Sequence, residues 1–165
     1  MKLIQQNQTI FDSIYMWSQD PIMAKSLGFP SVAMEYNSCV NYFKDKYDGV
    51  SNYIIGVIDD NCIIRGCYLV ETNEKDKRAK VDFAFDEVGR GKILRDSLIA
   101  FYNYMFNERH YDSLWGEISE TNKLSYKCAK KTGWEDVCTL PDYFNEQGKY
   151  VDVHLIRLTS DKRTI

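Results

Sequence analysis

The chain has 165 residues, 44% of them hydrophobic and 14% aromatic, with a formal net charge of -3 at pH 7. That length predicts one domain with a core of its own, and the slight acidity speaks against a nucleic-acid-binding surface spread over the molecule. No apolar run is long enough to cross a bilayer, and the start, Met1-Lys2-Leu3-Ile4-Gln5-Gln6, turns polar too soon for a secretory leader.

The cysteines stand at 39, 62, 67, 128 and 138, an odd count without a C-x-x-C pair, and the two histidines are far apart. Neither a disulfide framework nor a metal centre is expected. All five cysteines read as small buried hydrophobes in a reducing, cytoplasmic compartment.

Taken in order, Lys2 to Gln5 reads as a short strand. Thr9 opens a helix to Ser18 with Ile10, Ile14 and Trp17 on one side, and Asp20-Pro21 breaks it. A loop follows through Leu27, Gly28, Phe29 and Pro30. Pro30 suits the first position of the next helix, which carries Val32, Tyr36, Cys39, Val40, Phe43 and Tyr47 at helical period. Glu35 falls in its first turn and Gly49 stops it. Tyr53 to Ile58, Cys62 to Val70 and Ala79 to Phe85 are three strands of an antiparallel meander, joined by turns at Asp59-Asp60-Asn61 and at Asn73 to Lys77.

Asp86-Glu87-Val88-Gly89-Arg90-Gly91-Lys92 then leads into a helix with Leu94, Leu98, Phe101, Tyr102 and Met105 as its core stripe, ending near Asn107. A glycine-rich turn from strand to helix is a phosphate cradle in physical terms. Glycines let the backbone approach closely, free N–H groups point at the anion, and the helix dipole adds to the pull. Ser113 to Ser119 is a strand.

The stretch N-K-L-S-Y-K-C-A-K-K-T-G-W, Asn122 to Trp134, is a short amphipathic helix. Thr121 or Asn122 caps it, and Leu124, Ser125, Cys128 and Ala129 share a face. Lys127, Lys130 and Lys131 suit the negative end of the dipole, and Gly133 ends it. Trp134 to Leu140 is a strand, Pro141 to Lys149 a loop or hairpin end, and Tyr150 to Leu158 the last strand.

Asn122, Lys131, Gly133 and Trp134 carry a spacing that resembles the closing motif of the GNAT superfamily, the acyl-CoA-dependent N-acetyltransferases, and the element order resembles that fold along nearly the whole chain. The resemblance implies an α+β fold in three α/β/α layers, with a mixed, mostly antiparallel sheet of about six or seven strands and helices on both faces. It implies acetyl-CoA as co-substrate and an amine acceptor, a small molecule or a protein, and it is compatible with a homodimer or a protein partner.

In this family the glycine-rich loop holds the CoA pyrophosphate, and two registers fit. One takes Gly89 and Gly91 as the paired glycines and puts Asp86 where a basic or amide residue is usual. The other, which we prefer, begins at Arg90-Gly91-Lys92, and puts Ile93 and Arg95 in the glycine positions. The nucleotide-binding residues implied are then Arg90, Gly91, Lys92, Ile93 and Arg95. Backbone at the strand end near Phe85 would take the pantetheine, and Asn122 would lie close to it.

The tyrosine that protonates the leaving thiolate in many members falls at Ala129 here, with Tyr126 one turn earlier as its substitute. For the general base the order is Glu117, then Asp82 and Glu71, with His154 a further candidate. These departures keep a second reading open. It is a GNAT-like scaffold without the chemistry, serving as a binding or assembly factor of the kind found among bacteriophage genes.

Overall fold

The computed structural model describes residues 1–27, 34–146 and 148–162. Its strands are β1 (Lys2–Gln5), β2 (Asn52–Ile58), β3 (Ile64–Asn73), β4 (Arg78–Phe85), β5 (Ser113–Ser119), β6 (Glu135–Glu146) and β7 (Lys149–Thr159). They form one sheet in the order β1-β2-β3-β4-β5-β7-β6. Every neighbouring pair is antiparallel except β4 and β5. A parallel pair needs a crossover, and the segment between β4 and β5 supplies it as a helix.

Helices α1 (Gln8–Ser18), α2 (Pro21–Ser26) and α3 (Tyr36–Lys46) cover one face, and α4 (Lys92–Asn103) and α5 (Lys123–Lys131) the other. Side-chain alternation along the strands feeds a core on each face. Tyr53, Ile55, Tyr68, Val70 and Val81 pack under α4 with Leu98, Phe101 and Tyr102. Ile54, Cys67, Leu69 and Ala84 pack under α1 and α3 with Ile10, Ile14, Cys39 and Phe43. Tyr68 and Phe101 stack with centroids 4.0 Å apart and planes 7° from parallel.

Four sequence expectations change. Asp20-Pro21 does not simply break the chain. Asp20 caps α2, its Oδ1 accepting from the Ile22 and Met23 amides at 2.8 and 2.9 Å, and Pro21 is the first helical residue, where a missing N–H costs nothing. The stretch from Pro141 onward is not a loop, since β6 runs through it to Glu146. Register shifts lie between Asp136 and Cys138 and between Leu140 and Phe144. β6 is the outermost strand, where proline and bulges are tolerated. Glu35 stands at the N-cap position of α3 rather than inside it, and its side chain makes no capping hydrogen bond. Of the cysteines only Cys39 and Cys67 are buried, while Cys62 and Cys138 are exposed. The expectations at Gly28, Phe29, Pro30 and Val32 lie outside the described residues.

The long crossover helix changes type near its end. After Asn103 a π-helical turn, Tyr104–Glu108, carries it on. Its wider turn keeps Met105 and Phe106 in the core.

Candidate active site

The parallel ladder of β4 and β5 is short. Arg78, Ala79 and Lys80 pair with Ser113, Leu114 and Trp115, and the ladder ends there. Beyond it β4 stays with β3, and β5 stays with β7. The two strands diverge around a cleft of about 1310 Å³. Val81, Asp82 and Phe83 form one wall and Gly116, Glu117 and Ile118 the other.

Alternation decides what each face of the cleft offers. Val81 and Ile118 pack toward α4, so Lys80, Asp82 and Glu117 point to the α1–α3 side. There Lys80 Nζ donates to Glu117 Oε2 at 2.9 Å. Next to this pair, Lys46 of α3 meets Glu71 of β3 at 2.9 Å. Burial opposes charge on Lys80, but the Glu117 hydrogen bond with the Asp82 and Glu71 carboxylates raises its pKa all the same. Burial also pushes the Asp82 carboxyl above its ordinary value. Lys80 pulls it back, while Glu71 and Glu117 add to the rise. Asp82 therefore keeps its proton to a higher pH than an exposed carboxylate would.

A third carboxylate comes from the β6 end. Glu146 lines the cleft and accepts from Ser119 Oγ at 2.6 Å and Thr121 Oγ1 at 3.0 Å. The helix after β5 closes the cleft from the other side. Asn122 is its N-cap, with Oδ1 accepting from the Ser125 amide at 3.2 Å. Asn122, Ser125, Cys128 and Ala129 line the cleft. Leu124, expected on that inner face, is instead 83% exposed. Burial raises the Cys128 thiol pKa.

Tyr126 lies on another side of α5, outside the cleft lining. Its hydroxyl donates to Asp136 Oδ2 at 2.9 Å, which keeps the phenol protonated and aims it at β6. Its ring lies against His154, centroids 4.6 Å apart, and His154 Nδ1 is 3.4 Å from Thr139 Oγ1. Together these contacts fasten α5 to the β6–β7 pair.

The glycine-bearing turn is built mostly by its own contacts. Asp86 Oδ1 accepts from the Gly89 amide at 2.6 Å, and Arg65 Nη1 donates to Asp86 Oδ2 at 3.3 Å. This gives Asp86 a structural task and explains an acid in the turn. Gly89 presses on β3, where a Cβ would come within 2.4 Å of the Arg65 carbonyl oxygen. Arg90 folds back, its Nε donating to the Phe85 carbonyl at 3.1 Å and its Nη2 reaching Met23 Sδ at 3.5 Å. Gly91, with φ of 90°, caps α4 and has nothing within 4 Å of a built Cβ. Gly91 is thus open to its surroundings. Lys92 and Ile93 follow with first-turn amides that α4 itself leaves unbonded. Lys92 pairs with Asp96 at 2.6 Å, and Arg95 lies 4.0 Å from the same carboxylate.

The structure therefore brings Glu117, Asp82 and Asn122 together in one cleft. Glu71 lines a smaller groove that adjoins it through Lys80 and Glu117. Gly91, Lys92, Ile93 and Arg95 sit at the start of α4, while Phe85 and Arg90 hold the turn. Sequence reasoning missed Lys80, Cys128 and Glu146. A signal for Lys80 existed, since a lysine two residues from an aspartate inside an otherwise apolar strand has to be paired.

No protein-family model and no curated protein sequence matches the chain. Solved structures do. The spermidine N-acetyltransferase of Vibrio cholerae, in complex with CoA and spermine, superposes with a TM-score of 0.86 at 14% identity, over 98% of this chain and 96% of that one. A chimera of the Vibrio cholerae enzyme with hSSAT gives 0.82 at 14% identity, over 98% and 96%. The architecture, a mixed and mostly antiparallel seven-stranded sheet with helices, is the GNAT fold. Among the described residues, no helix is long and apolar enough to cross a membrane.

Proposed function

We propose that the chain is an acyl-CoA-dependent N-acyltransferase acting on a primary amine of a small cationic acceptor. The carrying observation is the cleft itself, open between β4 and β5 and holding a carboxyl of raised pKa, Asp82, beside the Lys80–Glu117 pair. Support for a cationic small molecule comes from the carboxylates of Asp82, Glu117 and Glu146 in the cleft wall and from the spermine bound by a structural neighbour.

The donor fits the residues present. The edges of β4 and β5 past Lys80 and Trp115 have main-chain groups free of the β4–β5 ladder for an amide-bearing arm. Gly91 leaves the mouth of α4 open for a phosphate, with the amides of Lys92 and Ile93 and the side chains of Lys92 and Arg95 as donors. Asn122 closes the cleft next to that arm. Phe85 and Arg90 contribute by holding the turn.

The donor supplies an acyl group activated as a thioester. The acceptor arrives as an ammonium. Asp82 takes a proton from it, directly or through one water, and frees the nitrogen lone pair. The C–N bond forms as the C–S bond breaks, the sulfur keeps the bonding electrons, and the second proton of the nitrogen passes through water to that sulfur. Glu117, tied to Lys80, keeps the acceptor's charge in place. Positioning of both substrates gives most of the acceleration. Tyr126, held by Asp136, has no part in this scheme.

The rearranged Arg90 and the hydroxyl-free Ala129 favour the alternative of a scaffold that binds without turnover. Two readouts on the whole chain separate them. With acetyl-CoA at a hundred times its dissociation constant the fold should gain about 2.7 kcal/mol, a rise in melting temperature of several degrees. With spermine or spermidine added, free thiol should then accumulate. A shift without thiol release would select the binding-only reading, and no shift at millimolar donor would end both.

A further inference from the structure

The carboxylates around the cleft are not equivalent. Glu71 is paired with Lys46 at 2.9 Å and Glu117 with Lys80 at 2.9 Å. Glu146 accepts from the hydroxyls of Ser119 and Thr121. Among the described residues, no side chain makes a hydrogen bond or ion pair with the Asp82 carboxylate. A carboxylate held by a cation is a weaker proton acceptor than one left to itself.

The position of Lys80 produces this division. It is the last residue of β4 in the ladder with β5, opposite Trp115. Glu117 lies two residues past Trp115, on the same face of β5. Their ion pair therefore spans the two strands at the point where they begin to part. Across the β3–β4 ladder Lys80 stands opposite Glu71, and Asp82 follows it on the same face of its own strand. One ammonium thus stands among three carboxylates, and its hydrogen bond goes to Glu117. After burial, which raises the Asp82 pKa, the largest influence on that carboxyl is Lys80, which lowers it. The other groups on this face come from the end of α3. Lys46 is tied to Glu71, and burial keeps the Tyr47 phenol protonated.

Resting on the acyltransferase reading above, we propose that Lys80 is the positioning residue of this site, occupying Glu117 where the strands part and leaving Asp82 to receive the first proton of the acceptor ammonium. It acts through these two carboxylates and not on the reacting atoms. Without Lys80, Glu117 and Asp82 would be two unpaired acids in one cleft, and Asp82 would hold its proton to a higher pH. Without the charge of Glu117, the same ammonium would turn to Asp82, which would then lose its proton at a lower pH.

The test has two readouts. Carbon-13 NMR follows the Asp82 carboxyl against pH in the chain without substrates. Thiol release from acetyl-CoA with spermidine gives kcat/KM against pH, whose ascending limb reports the base of the free enzyme. In Lys80→Met both the titration and the limb should move up, by about one pH unit. In Glu117→Gln, which keeps the shape of the side chain, both should move down. Lys80→Arg should bring both back close to the unaltered chain. A strut that merely held β4 to β5 would lower rate and melting temperature in the first two variants and displace neither curve. An Asp82 titration that stays fixed, or moves the same way in both variants, would overturn the proposal and leave the acyltransferase standing. A displaced titration with an unmoved limb would overturn it as well, since Asp82 would not be the group that sets the rate. If Lys80→Met does not fold, Glu117→Gln carries the test, and a titration at or above its unaltered position there would overturn the proposal. No thiol release from the unaltered chain at any pH would overturn both readings.

Discussion

Asp82→Asn should lower kcat/KM for amine acylation by about 10²- to 10⁴-fold, the usual worth of a positioned general base, while the melting temperature at neutral pH rises. The two effects have one cause. Asp82 is partly shielded from solvent and lies near Glu71 and Glu117, so its folded-state pKa is above the ordinary carboxylate value. A base must be ionised to act, so activity should climb as pH rises through that elevated pKa, and this limb should vanish in the asparagine variant. For stability the sign is opposite. A carboxyl whose pKa is raised on folding stabilises the fold fully below its unfolded-state value, and that contribution is lost as pH rises through the folded-state value. At neutral pH the ionised Asp82 is therefore a cost, and removing its charge should raise the melting temperature. Undiminished turnover in Asp82→Asn would remove it as the base. A fall in melting temperature would mean the carboxylate is a net structural partner of Lys80.

Gly89→Ala should be the most damaging single-methyl change in the turn that precedes α4, at about 1–3 kcal/mol. The new Cβ would lie 2.4 Å from the Arg65 oxygen and 3.0 Å from the Arg65 Cβ. Neither atom can move without shifting β3, so the turn must lift from the sheet and strain the Gly89 amide's bond to Asp86. Gly91→Ala is the informative comparison. Nothing lies within 4 Å of its Cβ, so its cost is only the strain of φ at 90°. Calorimetric melting of the two variants should show the larger fall for Gly89→Ala. The reverse order would mean that the turn is held by backbone conformation rather than by its contact with β3.

Much of this architecture is written in local pattern. The meander follows from β-branched runs broken by Asp59-Asp60-Asn61 and by Asn73 to Lys77. Helix α5 follows from Asn122, whose side chain does cap it. The apolar stripe of α4 is also plain, with Leu98, Phe101 and Tyr102 all buried. Other features depend on where an element ends up. Pro141 reads as a terminator until β6 proves to be an edge strand, where its missing N–H deprives no neighbour. Asp20-Pro21 serves equally to stop one helix and to start another, and only packing chooses.

The site shows the same division. Glu117 and Asn122 could be named from spacing and resemblance. The grouping of Asp82 with Lys80 and Glu117 arises from a parallel register between strands joined through α4, and no local window contains it. Tyr126 illustrates the limit of helical spacing. It is three positions from Ala129, yet Asp136 and His154 draw it to the β6 side. Arg90, the best basic match in the turn, is engaged by the carbonyl of Phe85, a bond that depends on the path of the loop.

A crystal structure of the chain with CoA bound tests the account most directly. The thiol end should lie between β4 and β5, beside Asp82, Glu117 and Asn122, with the phosphates at Gly91 and the first turn of α4. CoA found elsewhere, or a cleft from Val81 to Ile118 filled by the protein's own side chains in its presence, would contradict it.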